Sequence, residues 1–214
     1  MKNIIVLFLL FPFVMSAKMY PGKITFNDGV VKSGYIDIPD FRDQKVKFKA
    51  TEDSKAEKFE IDLVKGFEFQ NEKNSTIKYV TLYLSMPKSF KNDELKIDKH
   101  KTWLRIEKEG NAMDLVSVYY YSTGGGGGIG QTAGSSGTVF YLWKKAEAHC
   151  LYLYESPGGG FAFVLGAYKA IYKCVEHYFA TECPKLVESM DKEDIKKNGL
   201  GRIIELYDAN CGTK

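Results

Sequence analysis

Between residues 18 and 118, apolar and polar side chains alternate with a period of two through one run after another. This is the feature that most limits what the chain can become. A strand sends successive side chains to opposite faces, so each such run makes one apolar and one polar face. In "GKITF", Ile24 and Phe26 face one way, and Lys23 and Thr25 the other. Asn27-Asp28-Gly29 supplies a turn whose glycine accepts positive φ. Ile36 and Ile38 continue the next strand, and Pro39 ends it. Val46, Phe48 and Ala50 alternate with Lys45, Lys47 and Lys49. Phe59, Ile61 and Leu63 alternate with Lys58, Glu60 and Asp62, until Gly66 breaks the run. Val80, Leu82 and Leu84 share a face, and "TWLRIEKEG" and "MDLVSVYYY" follow with Gly110-Asn111 near their turn. The pattern implies an antiparallel sheet with one wet face, on which the lysines and glutamates are solvated.

Farther on, "TVFYLWKK", "HCLYLYES" and "GGFAFVL" read as three more strands or hairpin arms. The period then changes. Phe163, Ala167, Ala170, Ile171, Cys174, Val175 and Tyr178 recur every three or four residues, as on one face of a helix. "CPKLVESM" gives a short helix with Pro184 in its first turn, and Asn198-Gly199 stops another. Leu200, Ile203, Ile204 and Tyr207 form a last apolar stripe. The expected class is α+β: a predominantly antiparallel β body of about eight to ten strands, then a helical segment from about residue 163.

The first stretch has another character. Lys2 precedes an apolar run from Ile4 to Met15, followed by the small residues Ser16 and Ala17. That is the layout of a signal peptide spanning 1–17, leaving 18–214 as a single β-rich domain. The run is short of the roughly 20 residues a spanning helix needs, and no other stretch could span, so no transmembrane segment is expected in the mature chain. Removing the leader takes away only Lys2 and leaves 29 basic residues against 27 acidic ones, or +2. So small an excess gives no broad electrostatic footprint for nucleic acid.

The four cysteines, Cys150, Cys174, Cys183 and Cys211, all lie in the last third of the chain. In an exported protein an even count implies disulfides, and three pairings are open. The preferred one joins Cys183 to Cys211 and Cys150 to Cys174. Zinc held by Cys150, Cys174, His149 and His177 is the lesser alternative, because adjacent strand residues His149 and Cys150 point to opposite sides. Five consecutive glycines, Gly124 to Gly128, sit between two aromatic-rich runs. Gly125, Gly127 and Gly130 satisfy the spacing of a dinucleotide fingerprint. That fingerprint needs a helix directly afterwards, whereas "TVFYLW" is strand-like. A P-loop needs a lysine, and the loop has none. The run is read as a flexible connection.

No nucleophile elbow or zinc-protease motif accompanies His100, His149 or His177, and no catalytic, cofactor-binding or metal set is identified. The densest chemistry is aromatic. Tyr119, Tyr121, Tyr141 and Trp143 are the candidate exposed surface, on which a sugar or peptide could stack, set against simple use of these rings as core.

"GKITFNDGVVKSGYIDIPDFRDQKVKFKA" resembles the opening of a group of uncharacterised exported proteins of Bacteroidota-type Gram-negative bacteria. The matching residues are Gly22, Asp28, Gly29, Gly34, Tyr35, Ile36, Val46, Phe48 and Lys49. The tail is similar to that group's ending through Tyr178, Phe179, Cys183, Pro184, Leu186, Tyr207 and Cys211, but departs at Asp208-Ala209 and adds Cys150 and Cys174. The resemblance covers the two ends and implies export and a C-terminal cysteine pair, but no activity. The expectation is an exported, non-enzymatic protein of the bacterial envelope (periplasmic, outer-membrane-associated or extracellular) with a binding or structural role. Its partner would be an envelope protein, a peptide or a glycan. The alternative is a secreted hydrolase or glycan-active protein whose site forms only on folding.

Overall fold

The computed structural model describes residues 18–88, 94–122 and 135–212. The leader 1–17 and the glycine run lie outside the described residues. Ten strands follow one another: β1 Met19–Phe26, β2 Val31–Asp37, β3 Lys45–Lys49, β4 Glu57–Glu60, β5 Val64–Gln70, β6 Thr76–Pro87, β7 Leu95–Lys108, β8 Met113–Ser122, β9 Ser135–Lys144 and β10 His149–Pro157. Four helices come after them: α1 Ala167–Phe179, α2 Pro184–Glu188, α3 Lys192–Asn198 and α4 Gly201–Asn210. The class is α+β, as the change of period implies.

All ten strands belong to one sheet, in the order β10-β9-β8-β7-β6-β5-β1-β2-β3-β4. Every neighbouring pair in that order is antiparallel. In addition β10 runs parallel to β6, with His149, Cys150 and Leu151 opposite Tyr83, Leu84 and Ser85, so strands β6 to β10 close on themselves. Strand β6 serves two neighbours along one edge. Its first half, Thr76 to Val80, pairs with β5, and Tyr83 to Ser85 pair with β10. Beside this splice two buried hydroxyls bond main-chain carbonyls: Thr81 Oγ1 donates to Val64 O at 2.6 Å, and Ser85 Oγ donates to Cys150 O at 2.8 Å.

Three clusters fill the structure. Ile24, Ile36, Val46, Phe48, Ile61, Val64, Phe67, Phe69 and Trp103 make the core of the N-terminal strands. Val80, Leu82, Leu104, Val116, Val118, Tyr141 and Cys150 fill the closed barrel. On the barrel's outer side, Met113, Leu115, Phe140, Leu142, Leu151 and Leu153 meet the helices through Ile171, Val175, Phe179, Leu186, Ile203 and Ile204. The alternation of β6 to β9 therefore has two buried faces over much of its length, where the sequence implied one wet face. The wet face holds for the first strands, where Lys45 pairs with Glu60 at 2.6 Å and Lys47 with Asp37 at 2.6 Å.

Two local readings are corrected. The Phe59–Leu63 alternation is cut by a 3-10 turn at Ile61–Leu63; the turn buries Ile61 and leaves Leu63 56% exposed, and Val64 resumes the inward face. "GGFAFVL" forms no strand, because Gly158 and Gly160 hold positive φ, and the helix begins at Ala167, later than residue 163. The helical segment docks through a close approach: a Cβ at Gly110, in the β7–β8 turn, would lie 2.4 Å from Ile204 Cγ2 of α4. Beside it Asn111 N donates to Asp208 Oδ2 at 2.8 Å.

Cys183 and Cys211 form a disulfide that ties the start of α2 to the end of α4. Cys150 and Cys174 are free and buried, which corrects the second expected pair. Their separation has a simple cause. Cys150 points into the barrel, while Cys174 of α1 packs on the outer side with Leu151 and Leu153.

Two expectations follow from this packing. The disulfide closes a loop of 28 residues, so replacing both partners by serine should cost roughly 3–4 kcal/mol in urea unfolding. Alkylation of the denatured, unreduced chain should label Cys150 and Cys174 alone, and all four thiols only after reduction. The second concerns Asp114, 1% exposed, which accepts from Gly110 N at 2.9 Å and faces Lys145 at 3.2 Å. Burial raises its carboxyl above the ordinary value, and the Gly110 N–H and Lys145 only partly oppose this. The folded chain thus keeps a proton there after the unfolded chain has lost it. This contribution to stability is full below the unfolded pKa and is lost as pH rises through the raised folded one. Asp114→Asn, which retains an acceptor for Gly110, should gain stability relative to the parent as pH rises; a pH series of melting temperatures for both chains measures it.

Candidate functional site

The outer face of β6 to β9 is only partly covered by helices. Beyond them it forms the floor of a cleft of about 690 Å³. One wall is the β2–β3 loop, with Pro39, Asp40 and Phe41. The other comprises Gly159 to Phe161 and the α3–α4 junction from Asn198 to Gly201.

The floor follows from strand register. Tyr79 of β6 lies opposite Arg105 of β7, and Arg105 opposite Ser117 of β8. Ser117 pairs with Phe140 of β9, and Tyr119 with Thr138. Paired residues share a face, so one row of alternate positions brings these side chains together. At its centre Ser117 Oγ donates to Glu107 Oε1 at 2.6 Å, and Arg105 Nε lies 3.5 Å from the same oxygen. Tyr79 sits beside them, half-buried, and desolvation raises its hydroxyl above the ordinary value.

The walls are fixed to the floor by hydrogen bonds. Trp103, 2% exposed, donates from Nε1 to Asp43 O at 2.8 Å and holds the β2–β3 loop. Arg42 Nη2 donates to Tyr121 O at 2.7 Å, with its guanidinium 4.8 Å from the Phe41 ring centre and 5.8 Å from that of Tyr121. On the opposite wall, Thr138 Oγ1 donates to Gly158 O and accepts from Gly160 N, each at 3.0 Å. Phe161 packs edge-on against Phe140 and Tyr154. Glu205 of α4 reaches the cleft held by Lys108 at 2.9 Å and Arg202 at 3.1 Å, which together keep its carboxyl below the ordinary range.

The four aromatic residues singled out from the sequence divide between two faces. Tyr119 and Tyr121 line the cleft, each 49% exposed. Tyr141 and Trp143 are one residue out of step with the cleft-facing positions of β9 and point the other way. Tyr141 is buried inside the barrel, and burial raises its hydroxyl strongly. Trp143 is partly buried and donates from Nε1 to Glu147 O at 2.9 Å. The expected four-residue surface is therefore a two-residue one, completed by Tyr79, Arg105, Glu107 and Ser117, which the sequence did not single out.

The thiols and imidazoles do not gather. Burial pushes the Cys174 thiol up to about 11 and Cys150 still further, so both are protonated and inert as nucleophiles at neutral pH. His149 Nε2 lies 3.4 Å from Glu147 Oε2, outside the cleft; His177 packs against Tyr178; His100 is exposed. Among the described residues no three His, Cys, Asp or Glu side chains form a metal set, and no helix is long and apolar enough to cross a membrane.

Comparison with family models, with curated proteins and with solved structures returns no match.

The wall-to-floor bond has a measurable weight. Trp103→Phe removes the donor to Asp43 O and opens space in the N-terminal core. Urea unfolding should show a loss of about 1–3 kcal/mol.

Proposed function

We propose that this is an exported, non-enzymatic protein of the bacterial envelope that binds a glycan in the cleft between the β2–β3 loop and the α3–α4 junction. The observation that carries the reading is the composition of that cleft. Exposed Tyr119 and Tyr121 and half-buried Tyr79 and Phe161 offer ring faces beside Arg105, Glu107 and Ser117. Sugars combine apolar C–H faces with hydroxyls that both donate and accept. They suit rings set beside charged groups already oriented by one another.

A peptide bound by strand addition suits the cleft less well. The floor strands are paired from β6 to β7 and from β8 to β9, and where β7 and β8 part beyond Arg105 and Ser117, Arg42 Nη2 already takes Tyr121 O. Hydrolysis suits it less well too. A general acid needs a carboxyl held above its ordinary value. Glu205 is held below it by Lys108 and Arg202. Glu107 is engaged by Arg105 and the Ser117 hydroxyl. Export is supported by the apolar leader and by the Cys183–Cys211 disulfide, which persists in oxidising compartments.

The test is a binding screen of the purified protein against envelope glycans and, in parallel, peptides. Tyr119→Ala with Tyr121→Ala should weaken the best glycan about tenfold or more and leave the melting temperature near that of the parent. Unchanged affinity in that variant would refute the cleft as the site. A hit among peptides alone would refute the ligand class, and release of new reducing ends on incubation would replace binding by hydrolysis.

A further inference from the structure

On a different surface from the cleft floor, the segment between β10 and α1 carries an apolar projection. Val164-Leu165-Gly166 forms a tight turn closed by Ala167 N donating to Val164 O at 3.0 Å. Gly166 occupies the third position of that turn with φ +85° and ψ −8°, a conformation that glycine takes without strain. Leu165 is thereby placed at the corner, fully exposed, with Val164 beside it 44% exposed. The base of the turn is firm: Phe163 packs on Phe161, and Tyr168, one residue into α1, donates to Met190 O at 3.1 Å. A leucine held outward by a pinned turn contributes nothing to the core, and its exposure disfavours the chain in water.

The surroundings of the projection are cationic. Lys169 of α1 and Lys192 and Lys196 of α3 line one hollow with Val164, Leu165 and Tyr168. All three lysines are exposed. Lys169 and Lys192 have no ion-pair partner among the described residues, and Lys196 has only Glu193 at 3.9 Å. Lys197 follows in the last turn of α3. An apolar tip flanked by exposed lysines, two of them without an ion pair among the described residues, is the pattern of a segment that lies in an anionic bilayer interface, with the aliphatic side chains among the acyl chains and the ammonium groups among the phosphates. A protein partner would have to supply both an apolar socket and a ring of carboxylates. An anionic bilayer supplies both by its nature, and the charge complementarity favours it.

We infer that the Val164–Leu165 turn, with Lys169, Lys192 and Lys196, docks this protein peripherally on a membrane surface rich in anionic phospholipid. The interaction is reversible, since two side chains and a few cations fall far short of a permanent anchor. It also rests on residues separate from the Tyr119–Tyr121 floor, so it stands whatever the cleft binds.

Sedimentation of the purified protein with vesicles tests it. Vesicles of phosphatidylcholine mixed equally with phosphatidylglycerol should retain the protein at low salt, and phosphatidylcholine alone should not. Leu165→Ser with Val164→Ser should weaken retention about tenfold, and Lys169→Gln with Lys192→Gln and Lys196→Gln by a similar factor. Because these side chains are exposed, melting temperatures should match the parent. Leu165→Trp gives a second readout: its emission should move to the blue on adding the mixed vesicles, and lipids brominated on the acyl chains should quench it. Three results would overturn the inference: no retention on the mixed vesicles, retention indifferent to both sets of substitutions, or a parent dimer that Leu165→Ser dissolves, which would assign the turn to a second copy of the chain.

Discussion

The architecture depends on strand β6 carrying two neighbours on one edge. Its first half holds β5 and through it the N-terminal strands; its second half holds β10 and closes the barrel. A buried carbonyl with no donor costs about 1–3 kcal/mol, and Thr81 and Ser85 supply buried hydroxyls to Val64 O and Cys150 O beside the junction. These are two of the few buried polar residues in the described structure. Everything downstream inherits the geometry. Closure at β10 fixes which face of β8 and β9 looks inward. That choice decides which tyrosines line a cleft and which fill a core.

Strand content and helix content were legible in the sequence because each rests on local periodicity. Ile24, Val46, Phe48, Val80 and Leu82 are buried as alternation requires, and so are Leu200, Ile203, Ile204 and Tyr207 on their helical stripe. Barrel closure was not legible. The parallel contact between β6 and β10 joins residues more than 60 positions apart, and it leaves no mark on the period of either strand. A polar residue at an alternate position looks the same whether it meets bulk water or a cleft. Arg105, Glu107 and Ser117 were therefore indistinguishable from the truly solvated Lys45 and Lys47. The one available signal was the row of consecutive tyrosines, in which Tyr119 and Tyr121 must share a face. That signal found half the aromatic surface. Tyr141 and Trp143 needed the β8–β9 register, which the intervening chain length does not fix.

The cysteines show the same limit from another side. Cys183 and Cys211 flank the helices whose ends they join, so sequence position alone suggests the bond. Cys150 and Cys174 are closer still in sequence, yet a strand lies between them as a wall. Spacing says how far apart two thiols are along the chain, and it says nothing about which side of a sheet each occupies.

Closure gives the first three residues of β10, His149 to Leu151, a second partner. The other outermost strand is β4, only four residues long, with Glu57, Lys58 and Glu60 along it and Phe59 alone turned toward the core. Another chain seeking to extend the sheet there would meet a short ladder and side chains of both signs, with Glu57 and Glu60 already engaged by Lys32 and Lys45. The outermost border of the sheet at β4 is thus too brief and too charged to template fibrous growth.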